Sequence, residues 1–405
     1  MFKQSSYRPV KKKNRNFGGL LFLVVAILII VVGYFSAVGI IGLIDNLSKS
    51  EKANNSNILS QSSAPNENLN NSQVDINDIK GIYIPVSILS TLEGQNSVIA
   101  LSKKTEINTI VVDAKGEDGK LNYISEIPLA VTSNAISENS IDFKEINKKL
   151  KTAGIYSIAR VVAFKDNFLP KFNSKYSVPL RGGGKWWNTF FWINPYNNEV
   201  QDYLYAICDE VSTLGFSEIM LDEVKFPDFG RLDLLDYGEI SKNISKPKML
   251  NDFVNAFSDR AHSKGLKVSL CLPGQGAYSE TVNVEGGQTF DLANIKVDYL
   301  SPRFQISTLK TSYTNSVTIN DKVIIKADDN ATEVLNIAIS ETLNRMKLEN
   351  CKAILRPFIG DYDSSSKVYT FDDIKAQITI CKQLKCGIYL AWNDKGIYRE
   401  QAYLK

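Results

Sequence analysis

The acidic residues with the clearest spacing lie in the stretch from Phe216 to Asp228, FSEIMLDEVKFPD. Apolar and polar residues alternate as far as Asp222, and this period of two is typical of a β-strand. Asp222 then stands at the carboxyl end of a strand that follows a helix, where a β/α barrel holds its reactive groups. The alternative is that Asp222 only caps the next turn. Glu223 faces the other way unless the strand bulges or ends there, because adjacent strand residues point to opposite faces.

Charged and aromatic residues stand at the same end of other predicted strands. Asp113 and Lys115 share one face in VVDAKGEDG, and IARVVAFKD contains Arg160 and Lys165. The motifs LRPFIGDY and LAWND supply four more candidates, which are Arg356, Asp361, Trp392 and Asn393. Such a rim suits glycosidic cleavage, in which one carboxyl group protonates the leaving oxygen and another attacks or activates water. A ring of structural ion pairs that closes the barrel top is the alternative interpretation.

A single histidine and five cysteines limit the other chemistries. His262 lies near the end of a predicted helix, where it is expected to contact the terminal carbonyl groups and the helix dipole. A Ser-His-Asp triad and a His-based zinc site are therefore not expected. The spacings of the cysteines fit no metal-binding motif. We predict neither a metal nor another cofactor.

Eight strand-like segments alternate with helical periodicity after the first 79 residues. They are Gly81 to Leu89, Ile107 to Lys115, Tyr156 to Phe164, Ser217 to Phe226, Lys267 to Pro273, Val297 to Phe304, Lys352 to Ile359 and Gly387 to Asn393. This order predicts the α/β class, with parallel strands closed into a (β/α)8 TIM barrel. An open doubly wound sheet is the rival fold. It usually carries a Gly-rich nucleotide fingerprint after its first strand, and the sequence has none.

Two connections are too long for plain turns: Lys165 to Pro195, and Gln305 to about Asn330. Connections of this length in a compact domain are usually functional or disordered. The first contains several aromatic residues, among them Trp187 and Trp192, so disorder is not expected. These rings either stack on sugar rings over the barrel mouth or pack a small core on the barrel rim.

The amino-terminal region contains an apolar run long enough to cross a membrane. Gly18 to Ile44 has no charged residue and exceeds the roughly 20 residues that span a bilayer as a helix. The basic residues all precede it. They predict a cytoplasmic tail at residues 1–16, a transmembrane anchor at 17–44 and an extracellular remainder. A cleaved signal peptide is the competing interpretation, although its apolar core would be about 7–15 residues long.

Residues 45–78 are rich in Asn, Ser and Gln. They predict a flexible linker, because they cannot bury enough apolar area to offset the entropy of ordering. Residues 79–405 would then form the barrel domain. Six of the 47 basic residues precede the apolar run, which leaves 41 basic against 44 acidic residues. The barrel therefore offers no basic surplus for binding nucleic acid.

Several motifs in order give the chain a family resemblance. They are KGIYIP, TEINTIVVDAKGEDG, GIYSIARVVAFKDN, WINPYNNEV, LGFSEIMLDEVKFP, LRPFIGDY and GIYLAWN. From about Lys80 to Tyr398 the chain resembles the "putative glycoside hydrolase domain" family of bacterial surface proteins. That family is a TIM-barrel group distantly similar to α-amylase-like barrels. The resemblance implies that Asp222 corresponds to the fourth-strand aspartate, which is the nucleophile in amylase-like barrels. It also matches Asp113 and Arg160 to charged positions shared by the family.

The chain departs from the family pattern on three strands. Members usually have a tyrosine and an arginine after the fourth-strand aspartate, where this chain has Glu223 and Lys225. Cys271 stands about where the fifth-strand acid would fall, and the motif SPRFQIST replaces the usual sixth-strand motif. Loss of the fifth-strand acid removes an obvious proton donor.

We therefore expect a membrane-anchored, extracellular glycoside hydrolase that acts on a polysaccharide. Asp222 is the expected nucleophile or charge stabiliser, with Glu223 or Asp113 as the acid/base. The expected substrate-binding residues are Lys115, Arg160, Lys165, Trp187, Trp192, Arg356, Asp361, Trp392 and Asn393. The alternative is a catalytically degenerate barrel that binds cell-envelope glycans without cutting them.

Overall fold

The structure, a computed structural model, describes residues 75, 77–183, 187–188, 190–279, 284–310, 314–386 and 388–405. All of them belong to one compact unit, residues 70–405. Within these ranges, no helix combines the length and the apolar character needed to cross a bilayer. The predicted tail (1–16), the predicted anchor (17–44) and nearly all of the predicted linker (45–78) lie outside the described residues. Their boundaries stay predictions.

Eight parallel strands of the described chain close into a barrel. They are β1 (Lys80–Tyr83), β2 (Thr109–Lys115), β3 (Tyr156–Val162), β4 (Glu218–Asp222), β5 (Lys267–Pro273), β6 (Tyr299–Arg303), β7 (Ile354–Leu355 and Phe358–Gly360) and β8 (Tyr389–Trp392). Each strand pairs with the next, and β8 pairs with β1, so the sheet has no free edge. The predicted (β/α)8 barrel is confirmed, and the open doubly wound sheet is wrong.

Proline shapes two of these strands. β1 ends at Tyr83, before its predicted end, because Pro85 begins the helical turn Val86–Leu89. β7 is divided at Pro357, which has no N–H to donate to the sheet. Its first part pairs with β6, and its second part pairs mainly with β8.

Six long helices cover the outside of the barrel. They are α1 (Leu92–Lys104), α2 (Phe143–Thr152), α3 (Asn198–Thr213), α4 (Lys246–Ser263), α5 (Ala331–Leu348) and α6 (Phe371–Gln383). Asp142 caps α2 by accepting a hydrogen bond from the Glu145 amide at 3.2 Å. Asp142 satisfies an amide that has no partner within the helix.

Shorter elements fill the connections. The short α-helices are Val86–Leu89, Pro128–Thr132, Leu169–Phe172, Ile240–Asn243, Gly274–Tyr278 and Ile306–Leu309, and the 3-10 turns are Ser174–Tyr176, Leu232–Leu234 and Glu400–Tyr403. The first long connection contains the antiparallel pair Trp187–Asn188 and Phe190–Phe191. The second contains the hairpin Ser316–Ile319 and Lys322–Ile325. Both long connections therefore contain regular secondary structure.

The barrel interior is built in layers, because every second residue of a strand points inward. The middle layer is apolar and includes Val111, Ile158, Met220 and Phe358. Below it, at the amino ends of the strands, lies the buried ion pair of Glu218 and Arg356. Above it, two residues further along the strands, lie the charged groups of the barrel mouth. The apolar layer therefore separates two polar ends.

Candidate active site

Arg160 on β3 gathers three carboxylates at the barrel mouth. Its Nε donates to Asp222 Oδ2 at 2.7 Å, its Nη1 to Asp113 Oδ1 at 2.9 Å, and its Nη2 to Glu117 Oε1 at 3.1 Å. The closeness follows from the sheet register, since Asp113 pairs with Arg160 across β2 and β3. A buried guanidinium with its donors in a fixed fork holds its acceptors in one geometry. The structure thus brings together three residues that the sequence singled out: Asp113, Arg160 and Asp222.

Arg303, the last residue of β6, is a second guanidinium at the same carboxylate. Its Nη2 donates to Asp222 Oδ2, and its Nη1 donates to Glu223 Oε1 at 3.1 Å. The other oxygen of Asp222 accepts the Glu223 amide at 2.8 Å. Burial on its own would raise the pKa of Asp222, but the charges of Arg303 and Arg160 hold it well below the usual range. Asp222 is therefore ionised at neutral pH.

Glu223 shares the cleft with Asp222 because β4 ends at Asp222. Glu223 has a φ of 50°, in the left-handed region that residues other than glycine seldom adopt. This conformation turns both side chains toward Arg303. The sequence left open whether the strand ends at Asp222, and the structure shows that it does.

The charge state of Glu223 is set by the cations around it. Its Oε1 lies 3.4 Å from Lys165 Nζ, and its Oε2 lies 3.6 Å from Lys225 Nζ. Burial opposes ionisation, yet Arg303, Lys225 and Lys165 lower the pKa of Glu223. An ionised Glu223 can accept a proton, but it has none to donate at neutral pH.

Asp113 behaves in the opposite way. Its Oδ2 accepts a hydrogen bond from the Tyr83 hydroxyl at 3.0 Å. Burial raises the pKa of Asp113, although Arg160 acts against this rise. The oxygens of Asp113 and Asp222 bound by Arg160 are within roughly 8 Å of each other, the reach of two hydrogen bonds and one guanidinium. This separation is compatible with those of glycosidase carboxyl pairs.

The mouth contains two adjoining cavities, which share Asp222, Cys271, Arg303 and Thr308. The first, here called the polar cavity, has a volume of about 200 Å³ and is also lined by Glu223, Lys225, Asp228, Pro273, Gly274, Gln275 and Gln288. The second, here called the aromatic cavity, has a volume of about 170 Å³ and is also lined by Glu117, Arg160, Gln305, Phe358, Tyr362 and Trp392. Together they exceed the lower bound of about 300 Å³ for ligand pockets.

Trp392, at the end of β8, forms part of the wall of the aromatic cavity. Its ring stacks on Tyr83 with centroids 3.9 Å apart and planes at 20°. The guanidinium of Arg160 lies 5.2 Å from the Trp392 ring centroid. The indole is therefore fixed in position and only partly buried. It stays a candidate for stacking on a sugar.

Lys115 was expected at the mouth, and its placement is corrected. A register shift between Asp113 and Lys115 breaks the face that the two residues would otherwise share. Lys115 is fully buried, and its Nζ donates to the carbonyl oxygens of Val162 and Lys165 at 2.9 and 3.0 Å. It also lies 3.2 Å from Asp166 Oδ2. Lys115 therefore anchors the connection after β3 from within.

Trp192 also lies beneath the surface. Its side chain is 1% exposed, so no sugar ring can stack on it. The amino groups of Lys165 and Lys225 lie 5.9 and 5.6 Å from its ring centroid. For Trp192 the small-core alternative is correct, whereas Lys165 does lie at the mouth. The side chain of Trp187 lies outside the described residues, so its expected stacking stays a prediction.

Three further expected contacts are corrected. Arg356 lies at the amino end of the barrel, where its Nη1 donates to Glu218 Oε2 at 3.0 Å. Asp361 is fully buried and accepts a hydrogen bond from Arg399 Nη1 at 2.6 Å. Asn393 donates through Nδ2 to the carbonyl oxygen of Asp361 at 2.6 Å. These side chains hold the fold and do not line either cavity.

The sequence analysis missed Arg303, Glu117 and Tyr83. A signal was present for two of them, because Arg303 and Tyr83 are the last residues of β6 and β1. The strand-end rule that found Asp222 would have found them as well. His262 lies in the last turn of α4, as predicted. The sequence did not predict its partner Asp298, whose Oδ2 lies 2.8 Å from His262 Nε2. In the described part of the chain, no group of three or more His, Cys, Asp or Glu side chains could hold a metal ion.

The fold and the mouth together define a TIM barrel with carboxylates and arginines at the carboxyl ends of its strands, an arrangement that is compatible with glycoside hydrolysis. The comparison with known families identifies the family. Residues 81–398 match the family described as "Putative glycosyl hydrolase domain", and the chain belongs to that family. The resemblance found in the sequence is thereby confirmed.

The chain is also similar to solved structures, and the one with a TM-score above 0.5 shows the same fold. The glycoside hydrolase domain of PgaB (BpsB) from Bordetella bronchiseptica is 10% identical, with a TM-score of 0.55 over 78% of this chain and 94% of that chain. A hypothetical protein from Ruminiclostridium thermocellum ATCC 27405 is 27% identical, with a TM-score of 0.43 over 47% of this chain and 96% of that chain. The spore cortex-lytic enzyme SleL from Bacillus megaterium QM B1551 is 12% identical, with a TM-score of 0.44 over 80% of this chain and 72% of that chain. No curated protein matches the chain.

Proposed function

We propose that the protein is a glycoside hydrolase that acts on a polysaccharide, with Asp222 as nucleophile or charge stabiliser. One observation carries the proposal. Asp222 is held ionised between Arg160 and Arg303, on the wall shared by both cavities. Glycosidic cleavage passes through an oxocarbenium-like transition state, which a fixed carboxylate stabilises or captures.

Asp113 is the proposed acid/base. Burial raises its pKa, which favours the protonated form, and its side chain remains 14% exposed. It would protonate the leaving glycosidic oxygen and then take a proton from the incoming water, which restores its starting state. Tyr83 and Arg160 would position it. Glu223, which is ionised, would assist by orienting the water.

The sugar would bind in the aromatic cavity. Trp392 would stack on one face of a sugar ring while Arg160 and Glu117 bond to its hydroxyl groups. A glycoside substrate is also in line with the PgaB domain, a glycoside hydrolase domain of the same fold.

The location of the protein is also a proposal, and it rests on the sequence. The uncharged run within residues 17–44 and the basic residues before it support a single-pass membrane protein. The amino terminus would lie in the cytoplasm and the barrel outside, so the substrate would be an envelope or environmental polysaccharide. Protease treatment of intact cells tests this orientation, because an external barrel would be digested without lysis.

A panel of polysaccharides tests the enzymatic proposal. The full chain, purified in mild detergent, is assayed for both binding and release of reducing ends. We expect release from at least one glycan, its loss in Asp222→Asn with binding retained, and no change in Asp202→Asn. Asp202 is the control because it is exposed on the outer helix α3. Full release by Asp222→Asn would contradict the proposal.

Glycan binding without hydrolysis is the second candidate. It is favoured by the geometry of Asp222, whose two oxygens both accept hydrogen bonds from the protein. Cys271, which stands where the fifth-strand acid would fall, also favours binding without hydrolysis. Burial raises the pKa of its thiol to about 12, so the thiol is a poor proton donor. Binding by the wild-type protein with no release from any glycan would favour this candidate.

A further inference from the structure

We infer that Tyr362 is a sugar-contacting residue of the aromatic cavity and that Asp328 is the buried residue that positions it. The inference rests on the proposed action on a glycan, to which it adds a second ring and the groups that hold it. Tyr362 follows β7 by two residues, and Asp328 lies three residues before α5. Neither residue ends a strand, so the rule that found Asp222 does not find them.

Tyr362 forms part of the wall of the aromatic cavity, together with Trp392. It is only partly buried. Its hydroxyl forms a hydrogen bond with the Ser307 hydroxyl in the short helix after β6. The ring also lies against Gly360, where a Cβ atom would be 3.2 Å from Tyr362 Cε1. Tyr362 therefore joins the connections after β6 and β7, and it offers an amphipathic ring to a sugar.

Asp328 lies in the connection between β6 and α5, and its side chain is 1% exposed. Its carboxylate accepts hydrogen bonds from four side chains, which are Lys310, Ser364, Ser366 and Tyr369. Ser364 Oγ donates to Oδ2 at 2.9 Å, and the Tyr369 hydroxyl donates to Oδ1 at 3.1 Å. Three of the four donors belong to the connection between β7 and α6. One buried carboxylate thus fastens that connection to its neighbour.

The hydrogen bonds of Asp328 fix the backbone beside Tyr362. Burial on its own would raise the pKa of Asp328, but its donors, Lys310 first among them, lower it. The carboxylate is therefore ionised, and hydrogen bonds to an ionised acceptor are the strong ones. Ser364 lies two residues after Tyr362. Asp328 and Tyr362 also line one small gap of about 10 Å³, which has room for about one water molecule, so the ring has little space to shift.

Arg399 holds the connection on the other side of Tyr362. Its Nη1 donates to Asp361 Oδ1 at 2.6 Å, and its Nη2 donates to Asp363 Oδ1. These two aspartates are the neighbours of Tyr362 in the chain. A ring that is fixed before the ligand arrives loses little freedom on binding, so more of its contact energy appears as affinity.

Glycan affinity tests the role of Tyr362. The full chain and its variants are titrated by calorimetry with one glycan that the wild-type protein binds. Tyr362→Ala should weaken binding about tenfold or more, whereas Tyr362→Phe, which keeps the ring, should weaken it about threefold or less. Unchanged affinity in a folded Tyr362→Ala variant would overturn the inference alone. Binding of no glycan by the wild-type protein would instead overturn the proposed function.

A double-mutant cycle tests whether Asp328 acts through Tyr362. Asp328→Asn and the milder Tyr369→Phe should each weaken binding at least threefold in the wild-type background, but less than about twofold in Tyr362→Ala. Asp298→Asn is the matched control, because Asp298 also accepts two hydrogen bonds but lies at the amino end of the barrel. It should lower the unfolding temperature and keep the affinity. Equal losses in both backgrounds, or full affinity in folded Tyr369→Phe and Asp328→Asn, would overturn the positioning role.

Discussion

Both ends of the barrel interior contain an arginine bound to a carboxylate, and the pair at the carboxyl end lines the two cavities of the mouth. At the amino end, Arg356 and Glu218 are fully buried, and the Tyr156 hydroxyl donates to Glu218 Oε2 at 3.2 Å. The guanidinium of Arg356 also lies 4.0 Å from the ring centroid of Tyr299. This pair is enclosed on its sides by the barrel strands.

At the carboxyl end, the charged groups form a network in place of a single ion pair. Asp222 is shared by two arginines, and Glu223 is surrounded by cations. Burial costs are similar at the two ends, because both place ions out of water. The comparison teaches that ionic chemistry inside a barrel does not define a site. The mouth differs because its ion pairs line cavities.

Breaking the ion pair of Arg356 and Glu218 at the amino end should have the largest effect on stability. Arg356→Met leaves Glu218 buried without a counterion, which should lower the free energy of unfolding by about 3–5 kcal/mol. Urea unfolding measures the change. Turnover per folded molecule should stay at the wild-type level. The double variant Glu218→Leu with Arg356→Met should recover most of the loss, and a double variant as unstable as the single one would contradict a purely ionic cause.

Removing the proposed acid at the upper end should act on rate and not on folding. Asp113→Asn should lower turnover by about 100-fold to 1,000-fold, within the usual contribution of a general acid. The wild-type rate should fall as pH rises through the raised pKa of Asp113, because the acid must hold its proton. The pH–rate profile of the variant should lack this alkaline limb. An unchanged limb would show that another group is the acid.

The ion pair of Arg303 with Asp222 at the barrel mouth should affect the stability of the protein in acid. The pKa of Asp222 is lowered in the fold, so its contribution to stability is present above the ordinary aspartate value of about 3.9 and is lost as pH falls through the folded value. Arg303→Met should raise the folded pKa. Its midpoint of acid unfolding should therefore move up by roughly 1 pH unit, with a loss of about 2 kcal/mol at neutral pH. Circular dichroism against pH measures both, and an unmoved midpoint would count against this ion pair.

The two tryptophans give the smallest expected effect. Trp392→Phe should weaken glycan binding by about threefold, because a smaller ring stacks less well. Trp192→Phe should lower the unfolding temperature but leave the affinity unchanged, since Trp192 is buried. Calorimetric titration of both variants with one glycan checks the contrast. Equal losses of affinity would show that the buried ring also shapes the site.

The sequence was informative wherever local rules decide the structure. Period-two alternation and the order of segments were enough for the barrel, and the strand-end rule brought Asp113, Arg160 and Asp222 to one rim. Applied to every strand, the rule would have added Arg303. These predictions succeed because parallel strands in register place equal positions side by side.

Other features depend on events that the pattern does not show. Lys115 left the expected face because of a register shift in β2. Arg356 lies at the amino end because β7 continues past it to Gly360, so that Phe358 and not Arg356 reaches the middle layer. Trp192 is buried by a long connection whose packing is not local. Glu223 reaches the cleft through a left-handed backbone conformation that its residue type does not predict.

The most direct test compares one carboxylate at each end of the barrel. Reducing-end release is measured for Asp222→Asn and Glu218→Gln, each normalised to its folded fraction, on a glycan that the wild-type protein cleaves. We predict that Asp222→Asn loses about 10⁴-fold or more, while Glu218→Gln stays near the wild-type rate per folded molecule. Wild-type turnover in Asp222→Asn, or equal losses in both variants, would contradict the assignment of catalysis to the barrel mouth.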